Sequence, residues 1–95
     1  MWKVTFMYNY RYYDKGLTSL PNDVPKYVGG DFNCHENKLT SLQGAPKYVG
    51  GSFWCSNNEL TSLQYAPKYV GGNFWCYNNT KKFTKEEVMA VCEVK

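Results

Sequence analysis

A chain of 95 residues has room for one domain, and at this size only about 60–65% of the unfolded surface is buried on folding. A net charge of +3 permits a mild preference for anionic partners and excludes the strongly basic composition of a dedicated nucleic-acid binder. No stretch reaches the ~20 apolar residues of a membrane span, and the start lacks the apolar run of a secretory leader, so a soluble, cytoplasmic protein is expected.

The chain opens with "WKVTFMYNY", whose alternation reads as a strand sealing one end of the molecule. "YRYYDKGL" (Tyr10–Leu17) then aligns with the later "FWCSNNEL" (Phe53–Leu60) as a decayed copy, with Lys15 where the other copies carry Asn. Residues 1–16 are therefore read as an N-terminal cap and degenerate coil. Three units follow over residues 17–80, beginning "LTSL" at Leu17, Leu39 and Leu60. Their double glycines, Gly29-Gly30, Gly50-Gly51 and Gly71-Gly72, recur every 21 residues. The first unit has "PNDVP" where the others have "QGAP" and "QYAP", an insertion of one residue before Pro25.

A fixed period near 20 residues is the mark of a solenoid, in which one unit cannot bury its apolar face alone and stacked units build a continuous core. Phe53 and Cys55 around Trp54, and Phe74 and Cys76 around Trp75, alternate as a short strand with one face in and one out. The glycine pairs are read as tight corners needing unusual backbone dihedrals, and the prolines as an extended, irregular return path. Asn37, Asn58 and Asn79 sit inside the apolar pattern, where a buried amide must find partners for its donors and its acceptor. A ladder of Asn side chains bonding the backbone from coil to coil is expected. Cys34, Cys55 and Cys76 recur at one repeat position without paired C-x-x-C spacing, and Cys92 stands apart. The first three read as small buried hydrophobes, with neither disulfide nor metal.

Residues 81–95 break the pattern. Thr84 with Glu87 three residues on makes a capping box, and Val88, Met89, Val91 and Cys92 follow, so a helix over ~85–94 is expected to cover the open end.

The pattern F-x-C-x-x-N-x-L-x-x-L-x-x-A-P-x-x-V resembles the leucine-rich repeat in its short bacterial form. "LTSLQGAPKYVGGSFWCSNN" is similar to repeat proteins of tailed bacteriophages and some bacteria, over residues ~10–80, and the tail "KKFTKEEVMAVCEVK" resembles the ending of such phage proteins. The resemblance implies a repeat solenoid: a short-stranded parallel β-sheet on the concave side, an irregular extended convex side and a C-terminal capping helix. It implies a binding scaffold rather than a defined activity, with no cofactor.

In such a repeat, the residue between the two inward strand positions points out from the concave face. Arg11, Asn33, Trp54 and Trp75 take that place here. Tyr13, Asp14, His35, Glu36, Ser56, Asn57, Tyr77 and Asn78 follow just past the strands, and Asp31, Ser52 and Asn73 precede them. Paired tryptophans with Tyr and Arg match the composition of protein-interface hot spots. Arg11, Tyr13, Asn33, His35, Trp54, Asn57, Trp75 and Tyr77 are accordingly the candidate partner-binding residues, for a host protein if the phage resemblance holds, with inhibition or redirection of that protein as the activity. Mutual stacking of Trp54 and Trp75 that merely stabilises the sheet is the simpler reading.

Two other functions compete. Lys26-Tyr27, Lys47-Tyr48 and Lys68-Tyr69 form a basic-aromatic stripe on the convex side that could hold single-stranded nucleic acid, although repeat duplication alone would copy it. A self-assembling module pairing two Trp faces is the other. An enzyme is not expected: His35, the one histidine, has Glu36 and Asp31 near it, but Cys34 points to the opposite face and no nucleophile is placed to use it.

Overall fold

A computed structural model of the chain describes residues 8–95, so most of the strand expected over "WKVTFMYNY" lies outside the described residues. The described elements are β1 (Tyr10–Arg11), β2 (Tyr27–Val28), β3 (Phe32–Asn33), β4 (Tyr48–Val49), β5 (Phe53–Trp54), β6 (Tyr69–Val70), β7 (Phe74–Trp75), α1 (Lys85–Val91) and β8 (Glu93–Val94). They build a parallel-strand solenoid of about four turns. Odd-numbered strands form one sheet in the order β1-β3-β5-β7, and even-numbered strands form a second, β2-β4-β6-β8. The return path is thus not irregular throughout. Its "KYV" segments pair coil to coil into a sheet of their own.

Each sheet keeps the repeat in phase. Phe32, Phe53 and Phe74 lie beside one another, as do Asn33, Trp54 and Trp75. On the second sheet Tyr27, Tyr48 and Tyr69 align, and Val28, Val49 and Val70 continue to Val94. The core fills the space between the sheets. Phe32, Phe53, Cys34 and Cys55 enter from one side and the three valines from the other, with Leu39, Leu42 and Leu60 closing the end of the coil. In a chain this small that continuous stack is the source of the hydrophobic stabilisation.

The expected asparagine ladder is present. Asn58 Oδ1 accepts from Leu39 N at 3.0 Å, while its Nδ2 donates to the carbonyls of Cys34 and Cys55 at 3.0 and 3.2 Å. Asn37 and Asn79 repeat the arrangement one coil to either side. Each amide therefore joins two coils and satisfies backbone groups that a buried turn would otherwise strand.

The glycine pairs have a different purpose from the one expected. Left-handed glycine backbone occurs at Gly16 and Gly44 (φ 65° and 91°), not at the pairs. At the pairs the coils touch: Gly50 N donates to Val28 O and Gly51 N to Gly30 O, both at 2.8 Å. A Cβ on Gly50 would strike the carbonyl of Gly29, and one on Gly71 the carbonyl of Gly50, inside the 3.0 Å that real Cβ atoms avoid. Absence of a side chain, rather than freedom of φ, is what the site uses. The left-handed turns fall instead on Asp14, Glu36, Asn57 and Asn78, just past each first-sheet strand, and on Tyr65 (φ 71°) in the place Gly44 holds one coil earlier.

At the C-terminus the capping box forms as expected, with Glu87 N donating to Thr84 Oγ1 at 3.1 Å and Thr84 N to Glu87 Oε1 at 3.0 Å. Lys81 also pairs with Glu87, and this bond, with the Thr84 amide, lowers the Glu87 pKa. The helix stops at Val91, short of the expected ~94. Cys92 turns extended, and Glu93–Val94 joins the second sheet beside β6. Only the second sheet is extended by this tail.

Candidate functional site

Because Phe and Cys point into the core, the residue between them points out, and four coils place Arg11, Asn33, Trp54 and Trp75 in a row on the first sheet. Tyr13, His35, Ser56 and Tyr77 make a neighbouring row two residues on. The structure draws both rows into one aromatic ribbon. The Tyr13 ring stacks on His35 with centroids 5.1 Å apart, His35 stacks on Trp54 at 4.7 Å, Trp54 meets Trp75 at 6.2 Å, and Trp75 meets the edge of Tyr77 at 6.3 Å. The ribbon crosses from one row to the other between His35 and Trp54, where the small, fully buried Ser56 offers no ring to continue its own row.

His35 is held from two sides. Its Nδ1 contacts Asn33 Oδ1, and its Nε2 lies 3.3 Å from Glu36 Oε1. Asn33 thus serves to orient the imidazole as much as to face outward. Asn57 takes a left-handed turn (φ 57°) and donates its backbone N–H to Tyr77 O at 3.0 Å, so its position is fixed by the stack. Tyr13, Trp75 and Tyr77 remain exposed, Trp75 at 39% and Tyr77 at 49%, while Trp54 is half-buried between its neighbours. Trp54 Nε1 is buried with no hydrogen-bond partner among the described residues. Arg11 is exposed at the rim of a shallow cavity of about 150 Å³ that Asp31, Asn33 and both tryptophans help to line.

Three residues assigned to this face have a different task. Asp31 Oδ1 accepts from Ser52 N at 2.8 Å and Ser52 Oγ accepts from Asn73 N at 3.0 Å, continuing from Asn9 Oδ1 to Asp31 N at 2.7 Å. These side chains form a second ladder along the sheet margin. Ser56 likewise turns its hydroxyl to the next coil, accepting from Tyr77 N at 3.2 Å.

The Lys–Tyr stripe on the second sheet is also a stack. Tyr27 and Tyr48 lie nearly parallel, 3° apart with centroids at 4.3 Å, and Tyr48 and Tyr69 follow at 4.8 Å. Tyr48 therefore has a ring against each of its faces. A side-chain hydrogen bond to Tyr27 raises the Tyr48 pKa. The cysteines are free and buried or half-buried, with burial pushing the Cys34 thiol up to about 12 and Cys55 well above its ordinary value. Among the described residues no three His, Cys, Asp or Glu side chains gather as a metal site would require, and no helix is long and apolar enough to cross a membrane.

A larger cavity, about 680 Å³, opens at the C-terminal end between β7 and α1. Sequence reasoning missed it, since the capping helix was expected to close that end. Phe74, Trp75, Tyr77, Phe83, Val88 and Met89 supply its apolar wall, and Lys82 and Lys85 its charged rim.

No family model, curated protein or solved structure matches the chain.

Proposed function

We propose that the protein is a small protein-binding module of the leucine-rich-repeat type that engages a partner polypeptide through the outer face of its first sheet. The observation that carries this reading is the ribbon Tyr13–His35–Trp54–Trp75–Tyr77, continuous over four coils and exposed at both ends. Large, rigid, amphipathic rings next to an exposed Arg are the groups that dominate protein interfaces. With the phage resemblance, the partner is a host protein in the bacterial cytoplasm, held and thereby inhibited or redirected. No chemistry is assigned to the chain.

The nucleic-acid alternative draws less support from this geometry. Base stacking needs free ring faces, and Tyr48 in the middle of the stripe has none.

Affinity capture from bacterial lysate tests the proposal, with wild type beside an Arg11→Ala, Tyr13→Ala double variant whose fold is checked by circular dichroism. Both residues are exposed and lie far from the C-terminal cavity. Retention of one polypeptide by wild type, reduced at least tenfold in the variant and insensitive to nuclease, is the expected result. Equal retention by both, or capture that nuclease abolishes, would overturn it.

A further inference from the structure

The last coil is unfinished on one side. In the earlier coils each first-sheet strand donates backbone N–H groups to the strand that follows it. Phe53 N donates to Asn73 O, Cys55 N to Trp75 O and Asn57 N to Tyr77 O, at 2.9, 2.8 and 3.0 Å. Phe32, Cys34 and Glu36 make the same bonds one coil earlier. The matching donors of the last coil are the N–H groups of Phe74, Cys76 and Asn78. Among the described residues they have no acceptor, because the chain goes on to α1 and then to β8, which pairs with β6 in the other sheet. Phe74 and Cys76 are correspondingly only half-buried, whereas Phe53 and Cys55 are fully buried.

Directly beside this edge lies the cavity of about 680 Å³ between β7 and α1. Its wall is mainly apolar, interrupted by Asn78, Asn79 and Thr84, with Met89 50% exposed on the helix side. The charged residues that line it, Lys82 and Lys85, are both basic, and neither forms an ion pair among the described residues. An edge of evenly spaced donors next to an apolar trough with a basic rim fits one kind of occupant. The geometry points to an extended peptide segment that adds to β7 as a fifth parallel strand. Its carbonyls accept from Phe74, Cys76 and Asn78. Alternate apolar side chains enter the trough between Phe74 and Met89, and an Asp or Glu meets Lys82 and Lys85.

Main-chain bonds at an open sheet edge give such an interaction its affinity, and the pockets for alternate side chains give its selectivity. The positive rim adds a preference for acidic over basic sequences and a salt-dependent on-rate. Trp75 and Tyr77 belong to both this trough and the aromatic ribbon, but the inference stands on the unpaired donors and the trough, and does not rest on the ribbon being an interface.

The test uses the full chain and a displayed library of random decapeptides. The expected winners alternate apolar residues with Asp or Glu and lack Pro at the central positions. Synthetic copies should bind at least tenfold more weakly to Met89→Arg, which puts a long cation into the trough, and about as well to Arg11→Ala, Tyr13→Ala. Lys82→Glu with Lys85→Glu should reverse the preference from acidic to basic peptides. Amide exchange at Cys76 and Asn78 should slow when peptide is bound. No enrichment, winners indifferent to Met89→Arg and to the charge reversal, or unchanged exchange at Cys76 would each overturn the inference. So would a concentration-dependent dimer that protects the Cys76 amide without peptide, since a second copy would then own the edge. Loss of lysate capture in Arg11→Ala, Tyr13→Ala with peptide binding intact separates the ribbon from this site.

Discussion

Residues 53–58 and 74–79 read FWCSNN and FWCYNN, near twins in sequence and different objects in the fold. In the first, Phe53, Cys55 and Ser56 are fully buried and every strand N–H that points to the next coil is bonded. In the second, Phe74 and Cys76 are half-buried, Trp75 and Tyr77 are exposed, and the corresponding donors face a cavity. Hexapeptides alike at five of six positions are interior in one place and surface in the other because a coil is buried by its neighbours, not by itself. A repeat residue's contribution to stability should therefore depend on its rung, and the last rung is free to do something else.

The largest contrast should come from the inward phenylalanines. Phe53→Ala is expected to cost about 3–5 kcal/mol, the range for deleting a fully buried ring, and Phe74→Ala roughly half as much or less. Urea melts of the two variants would show it. Equal losses would mean the end coil is as tightly enclosed as the middle one.

The asparagine ladder gives the next contrast. Asn58→Ala strands the Leu39 N–H and removes the donors that serve Cys34 and Cys55, for an expected loss of about 2–3 kcal/mol. Asn79→Ala leaves its groups closer to water and should cost about 1 kcal/mol. Hydrogen exchange at Leu39 and Leu60 N–H would report which rung opens.

The thiols sharpen the comparison through pH. Cys34 keeps its proton to about 12 in the folded protein because burial disfavours the thiolate, whereas in the unfolded chain it ionises near its ordinary 9.0. Between those values the unfolded state has fewer protons bound. Stability should therefore be intact below about pH 9 and fall as pH rises toward 12, by about 1.4 kcal/mol per pH unit for this group. Cys34→Ala should flatten part of that slope in alkaline melts. Half-buried Cys76 should also be alkylated before Cys34 or Cys55.

The smallest effect is a gain. Tyr65 holds a left-handed backbone where the preceding coil has Gly44, and Tyr65→Gly should stabilise by up to about 1 kcal/mol in thermal melts. The ring is 51% exposed, so the packing lost with it is limited.

Much of this architecture was legible because duplication writes it twice. The period, the inward Phe and Cys, the outward Trp, the Asn ladder and the Thr84–Glu87 box all follow from residue type at a fixed spacing. What escaped depends on contacts between coils. A two-residue "YV" is too short to show strand alternation, so the second sheet was invisible until the coils were stacked. The glycine pairs gave a true position but a wrong reason, since the carbonyl that forbids a Cβ belongs to a residue 21 places away. Ser56 was placed on the open face with His35 and Tyr77, and is instead fully buried, its hydroxyl accepting from Tyr77 N in the next coil. The helix length set by the Val88–Cys92 pattern ran past Val91, because that pattern cannot distinguish a last helical turn from a strand that docks on β6.

The glycine corners also make the molecule a ruler. Every coil meets the next through the same carbonyl-on-glycine contact, so a further 21-residue copy inserted between Leu39 and Leu60 would find a seat already shaped for it at both ends. Each added copy would lengthen the protein by one strand spacing, about 4.8 Å, and lay one more outward residue beside Trp54 without disturbing either terminus. The span of surface this protein presents is therefore a quantity that can be lengthened or shortened in whole steps, while the fold that carries it stays the same.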